Sequence, residues 1–329
     1  MGLFDAIIPL LAQRARRSGS AVLLGSHERI LLKRDAFREV VPKGGGRILF
    51  VDSGSGEILA GPNVSVCFFR MYAGLFEGVK CVKREVEEFF VVVCAFQKGL
   101  DLGYEVTIVN REGKEEERLF FDAQDHTICF GGRRAEPGAV VGVVRKLLEL
   151  RKMIVWCAKL KSGDVIVRDG DLDAFGELLE GARTKLKVAA QGAGVVVLGV
   201  AKTSALCTDA GGSALEAVRE LAPKGAWYYY VGSGVSFVRL HARSDYVFRC
   251  DVFAHDRDVL PRCFELLANQ SSDAAFLGYP FGLIDADRFA QVPKSETAQL
   301  RLRFAVESKD VFRSIERALD AHDILNALG

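Results

Sequence analysis

Two apolar runs in this chain each reach an aspartate set among glycines: Arg47-Ile-Leu-Phe-Val-Asp52-Ser-Gly-Ser-Gly56 and Asp164-Val-Ile-Val-Arg-Asp169-Gly-Asp171-Leu172. Their aliphatic and aromatic content reads as strand, and the glycines that follow read as tight turns with room for a large anionic group. Acidic side chains carried to one edge of a sheet on neighbouring strands form a set of hard oxygen ligands suited to Mg²⁺ or Mn²⁺. Asp-Gly is also an ordinary turn dipeptide, so neither run means much alone. Together they constrain the chain to a sheet with an acidic edge.

Hydrophobic residues make up 49% of the 329 positions, ample for a buried core in one large domain or two smaller ones. Lys and Arg total 44 against 43 Asp and Glu. Global charge therefore does not announce nucleic acid, and any site for it must be a local patch. Eight scattered cysteines, without CxxC or Cys/His ligand spacing, argue against zinc and for buried thiols in a reducing cytoplasm. The opening Met1-Gly-Leu-Phe-Asp lacks a cleavage pattern, and no later run has the length of a membrane span. The expectation is a soluble, cytoplasmic, unprocessed protein with no membrane association.

Residues 3–17 read as an amphipathic helix with a basic end (Arg14, Arg16, Arg17), part of an N-terminal helical extension over 1–40 that docks on the domain or a partner. The main domain, 41–329, starts with three strand signals at 47–52, 63–73 and 88–96. A hairpin insertion follows at about 97–135, its strands around Glu105–Val109 and Arg118–Phe121. Helical spacing runs from Pro137 to about Leu160, then strand 164–168, helix 172–190, strand 195–201 and helix 213–222. Strand signals return at 227–230, 235–240 and 246–253 before an elaborated, mainly helical C-terminal part. A three-strand meander followed by helix, strand, helix and strand is the order of a ribonuclease-H-like α/β domain, a mixed sheet flanked by helices.

The stretch Leu277-Gly-Tyr-Pro-Phe-Gly-Leu-Ile-Asp-Ala-Asp287-Arg-Phe-Ala resembles the C-terminal motif of the NurA nuclease family, a Gly-Tyr-Pro turn leading into a helix. Other landmarks fall in that family's order. Asp52-Ser-Gly-Ser55 stands for a strand ending in Asp-Gly-Ser, and Glu149 in Lys146-Leu-Leu-Glu-Leu150 for a helix-borne glutamate. Arg168-Asp-Gly-Asp-Leu172 stands for Leu-Asp-Gly-Ser-Leu, and Gly199-Val-Ala-Lys-Thr-Ser204 for a strand ending in Lys before Thr/Ser. Two departures are an extra serine in the first motif and Asp171 in place of serine in the second.

The resemblance implies a Mn²⁺- or Mg²⁺-dependent deoxyribonuclease, a 5′–3′ exonuclease and single-strand endonuclease of DNA double-strand-break end resection. It further implies a homodimer that docks on a HerA-type hexameric ATPase and acts on single- and double-stranded DNA. It assigns Asp52, Glu149, Asp169 and Asp287 to two metal ions. Asp285 competes with Asp287 for the last place.

Phosphodiester hydrolysis by two ions needs carboxylates that hold them roughly 4 Å apart. Lys202, at the end of an apolar strand, is suited to meet a phosphate or the charge developing on it, with Thr203 and Ser55 as further donors. Tyr279 is a candidate for stacking on a base or positioning a phosphate. Arg133, Arg134 and Lys294 are candidate DNA contacts, although each alone reads more readily as part of a solvated charged face. His126, His241 and His255 suggest no site. Neither Gly232-Ser-Gly234 nor Gly44-Gly-Gly46 ends in the Gly-Lys-Ser/Thr of a P-loop, so ATP binding through a Walker motif is not expected.

Two other readings compete. Asp52-Ser-Gly-Ser-Gly56 also looks like the first phosphate loop of actin-like and sugar-kinase ATPases of the same superfamily, although Arg168-Asp-Gly-Asp171 fits their second loop poorly. A non-catalytic scaffold that binds DNA and the translocase is the other.

Overall fold

The structure is a computed structural model that describes all residues except 1, 3, 6, 10–18, 25–27, 130–134, 310–311 and 314–329. Much of the expected N-terminal helix, with Arg14, Arg16 and Arg17, and the pair Arg133 and Arg134 lie outside the described residues.

A small hairpin of β1 (Ala21–Leu24) and β2 (Glu28–Leu31) precedes β3 (Phe37–Glu39). Three long strands follow, β4 (Arg47–Ala60), β5 (Val64–Glu77) and β6 (Lys80–Lys98), then the hairpin β7 (Asp101–Asn110) and β8 (Glu115–Asp122). Helix α1 (Pro137–Cys157) leads to β9 (Val165–Asp169), α2 (Glu177–Ala193), β10 (Val196–Ala201) and α3 (Ala214–Leu221). Strands β11 (Trp227–Gly232), β12 (Val235–Arg239) and β13 (Phe248–Val252) come next. Helices α4 (Leu260–Asn269), α5 (Phe281–Ala290) and α6 (Lys294–Glu307) end the described order.

Eleven strands form one sheet in the order β3-β11-β12-β13-β10-β9-β4-β5-β6-β7-β8. β4, β5 and β6 are the expected antiparallel meander, and β9 lies parallel to both β4 and β10. This is the ribonuclease-H-like order read from the sequence, widened by the β7–β8 hairpin on one side and four further strands on the other. Residues 21–40 contribute strands to what the sequence suggested was a helical extension, and β3 pairs with β11 in the main sheet.

Alternation along the strands sends successive side chains to opposite faces, and this divides the core in two. Leu49 and Val51 of β4 join Leu147, Leu150 and Met153 of α1 and Leu186 of α2 on one face. Ile48 and Phe50 join Phe264 and Leu267 of α4 and Leu283 and Ala286 of α5 on the other. Each of the larger side chains among them contributes roughly 1.5–3 kcal/mol relative to its exposed state. No helix among the described residues is long and apolar enough to cross a membrane.

The glycines after Asp52 differ from expectation. β4 does not stop there but runs unbroken to Ala60. A Cβ at Gly54 would collide with the Ala290 carbonyl, and one at Gly56 with Thr297 and Val292. These glycines admit the α5–α6 connection against the strand instead of turning it. A phosphate loop needs a turn at this point, so the ATPase reading loses its anchor. After Asp169 the chain does turn, through Gly170 at φ 119°.

Candidate metal centre

The register of β4 with β9 pairs Val51 with Arg168, so the next residues, Asp52 and Asp169, stand side by side on adjacent parallel strands. Their face of the sheet is the one α5 covers. That helix approaches closely because it offers Gly282 to the Phe50 ring, where a Cβ would collide, while Gly54 admits the carbonyl of Ala290. Asp287 on α5 is thereby delivered to the strand pair. One carboxylate oxygen each from Asp52, Asp169 and Asp287 lies within 4.8 Å of the others.

Such crowding shows in the titration of Asp52. Burial raises its pKa most, followed by the charges of Asp169 and Glu149, and the result is about 7. The backbone N–H of Ser53, donating to Asp52 Oδ1 at 2.8 Å, opposes this without cancelling it. Lys202 places its Nζ 2.8 Å from Asp169 Oδ2 and 3.2 Å from Asp287 Oδ1. Burial works to lower the pKa of this ammonium, but the two carboxylates outweigh it and the net shift is upward. Lys202 thus stays charged and tempers an acidic cluster that it cannot neutralise alone.

Tyr279 sits beneath Lys202, with the ammonium 5.2 Å from the ring centroid. Its ring packs between Phe248 and Phe276, at centroid distances of 5.0 and 4.9 Å, and only 1% of the residue is exposed. It has no face free for a base, which corrects the stacking role read from sequence. Its hydroxyl is buried without a hydrogen-bond partner, and burial followed by the charge of Asp169 holds its pKa well above the ordinary phenol value. A buried donor beside an acidic cluster is costly to leave unsatisfied, and Asp169 is the acid this hydroxyl faces.

Glu149 is elsewhere. On α1 it is 1% exposed, accepts a hydrogen bond from the Ser53 hydroxyl, and accepts another from Arg168 Nε at 2.6 Å. Ser53 and Arg168 each neighbour a member of the trio in sequence but point to the opposite, α1 face. The expected ligand is thus an ion-pair partner, close enough to Asp52 to be felt but not one of the three converging carboxylates. Arg168 and Ser53 were not singled out from sequence. The available signal was a charged residue inside the otherwise apolar run Val165-Ile-Val-Arg168, which has to find a buried anion.

The remaining residues sort by position. Asp285 accepts from the Tyr72 hydroxyl at 2.6 Å and from Arg84 at 2.9 Å, so of the two competing aspartates it is Asp287 that faces the cluster. Asp171, the departure from the serine of the resembling motif, pairs with Lys146 of α1 at 2.8 Å. Thr203 is exposed immediately beyond Lys202, and Lys294 is exposed at the start of α6. Ser55 is exposed but alternates onto the face of Ser53, away from the trio. Arg70 ties β5 to the α5–α6 connection through the Gln291 carbonyl at 2.8 Å and Glu296 at 2.6 Å, steadying the end of the helix that carries Asp287.

The donor set fits a hard divalent cation: three carboxylates from three elements, an excess of negative charge, and a waiting hydroxyl. No protein-family model matches the sequence, and no curated protein matches it. Among solved structures, the chain is similar to the NurA nuclease from Sulfolobus solfataricus, at 14% identity over 94% of this chain and 95% of that one, with a TM-score of 0.49. It is also similar to the catalytic domain of human endonuclease V, at 13% identity over 92% and 98% with a TM-score of 0.38, and to Aquifex aeolicus Argonaute, at 10% identity over 77% and 29% with a TM-score of 0.36.

Proposed function

We propose that the protein is a divalent-metal-dependent nuclease that hydrolyses DNA phosphodiester bonds at the Asp52, Asp169 and Asp287 cluster. The observation that carries this reading is the convergence of those three carboxylate oxygens within 4.8 Å, on a face where Lys202 and the unpaired Tyr279 hydroxyl also meet. Asp52, Asp169 and Asp287 would hold Mn²⁺ or Mg²⁺. The chemistry such a cation supplies is a water acidic enough to attack at neutral pH and charge stabilisation of the phosphate.

The residues of the chain do the rest. Asp52 and Asp169, fixed on adjacent strands, set the position of the centre. Asp287, with 61% of its side chain exposed, borders solvent and is placed to orient a water on the open side. Lys202 releases its ammonium to a non-bridging phosphate oxygen once its carboxylate partners are otherwise engaged, and Tyr279 donates its hydroxyl hydrogen from below. Together these donors bind and orient the anionic group without any side chain having to change its charge.

DNA end processing, a homodimeric state and docking on a HerA-type hexameric ATPase belong to the same proposal, and the order of the NurA-like motifs supports them. The test is a cleavage assay of purified protein on linear single- and double-stranded DNA with Mn²⁺, Mg²⁺ or EDTA. Cleavage with either metal and none with EDTA is expected. Metal-independent cleavage, or none under any condition with or without the ATPase, would overturn the reading.

A further inference from the structure

Arg168 is 7% exposed and Glu149 1%, and their pairing is fixed from both sides. One Glu149 oxygen takes the guanidinium Nε at 2.6 Å and the other takes the Ser53 hydroxyl, while a second guanidinium nitrogen donates to the carbonyl of Asp171. For Glu149 to turn to a metal it would have to give up the Ser53 hydroxyl, the Arg168 guanidinium or both, and losing the guanidinium would leave a buried cation without its carboxylate. The strands stand against it as well. Arg168 and Ser53 alternate with Asp169 and Asp52, so the pair lies on the α1 face and the three aspartates lie on the α5 face.

We infer that Arg168 is the resident counter-ion of Glu149, and that the centre therefore takes a single divalent cation per chain, held by Asp52, Asp169 and Asp287, in place of two. The inference rests on the reading of those aspartates as a metal site. Charge balance agrees with it. Four carboxylates, Asp52, Asp169, Asp287 and Glu149, stand against two cations, Lys202 and Arg168. The two negative charges left over are cancelled by one divalent ion, whereas a second would leave a net positive centre before any phosphate arrived. Arg168 thus supplies one positive charge on the side of the sheet where Glu149 would otherwise be free for a second ion.

Equilibrium dialysis of the full chain against saturating Mn²⁺, with the bound metal counted, tests this without reference to activity. One ion per chain is expected. Changing Glu149→Gln and Arg168→Met together removes the pair as a unit and leaves the net charge of the centre as it was. That variant is expected to bind one ion still, with affinity changed by less than about tenfold, the low end of what losing even an outer partner of a metal ligand does. Two ions in the wild-type protein, or a larger loss in the double variant, would overturn the single-ion assignment while leaving the aspartate site standing. No bound Mn²⁺ in the wild-type protein would overturn both.

Discussion

Asp52 and Glu149 are both carboxylates near one strand, yet they live under opposite electrostatic conditions. Asp52 meets other acids and is pushed up to about 7, with Lys202 shared among its neighbours. Glu149 is more deeply buried and has an arginine of its own. The α5 face is left short of positive charge, and the α1 face is balanced. Residual charge imbalance, rather than the number of acidic residues, separates a centre that calls for a cation from an ion pair that holds a helix on a sheet.

The largest effect on stability should come from breaking the balanced side. Arg168→Met alone strands the Glu149 carboxylate in the core and should destabilise the protein by about 3–5 kcal/mol in urea unfolding, whereas the double change with Glu149→Gln should recover most of that. A single change no worse than the double would show that the pair is not the lock described.

The unbalanced side should respond in the opposite direction. Because the folded protein raises the Asp52 pKa from 3.8 to about 7, it holds a proton that the unfolded chain has lost, and stability falls as pH rises between about 4 and 7. Asp52→Asn removes this dependence. Without metal it should match the wild-type protein near pH 4 and exceed it by about 4 kcal/mol at pH 8. Saturating Mn²⁺ should erase the advantage by stabilising only the wild-type protein. A variant less stable at pH 8 would contradict the crowding.

A smaller contrast lies within α5. Asp287→Asn should lower turnover about 10- to 100-fold with DNA affinity little changed, because the lost contact acts mainly on the rate. Asp285→Asn should leave turnover intact and lower stability by about 1 kcal/mol through weakened bonds to Tyr72 and Arg84. Kinetic and melting measurements on both variants would expose the reverse pattern.

Residues at the ends of apolar runs were the legible part of the site. Asp52, Asp169 and Lys202 lie where strand patterning and charge meet, and period-2 and period-3.6 spacing were enough to order the elements of the central sheet. What sequence spacing could not show was closeness in space. The NurA resemblance assigns Glu149 as a ligand and no spacing reveals its partner Arg168, while Gly54 and Gly56 read as a turn because the helix that needs them comes some 230 residues later. Asp285 and Asp287 compete in the sequence, and only the packing of α5 separates them. The strand signal at 88–96 covers only the second half of β6, because the first half, Lys80-Cys-Val-Lys-Arg-Glu-Val-Glu87, is rich in charges whose partners, Lys152 of α1 for Glu85 and Asp285 of α5 for Arg84, are visible only in space.

The central claim is that the three aspartates on the α5 face form a metal-dependent hydrolytic centre, and the most direct test is single-turnover cleavage of linear DNA by the wild-type protein and Asp169→Asn across a Mn²⁺ titration. The wild-type rate should rise with Mn²⁺ and saturate. The variant, equally folded by circular dichroism, should remain at least about 10³-fold slower at every concentration, as expected when a group on which the reacting centre depends is lost. Cleavage by the variant within about tenfold of wild type at saturating Mn²⁺ would place the chemistry elsewhere.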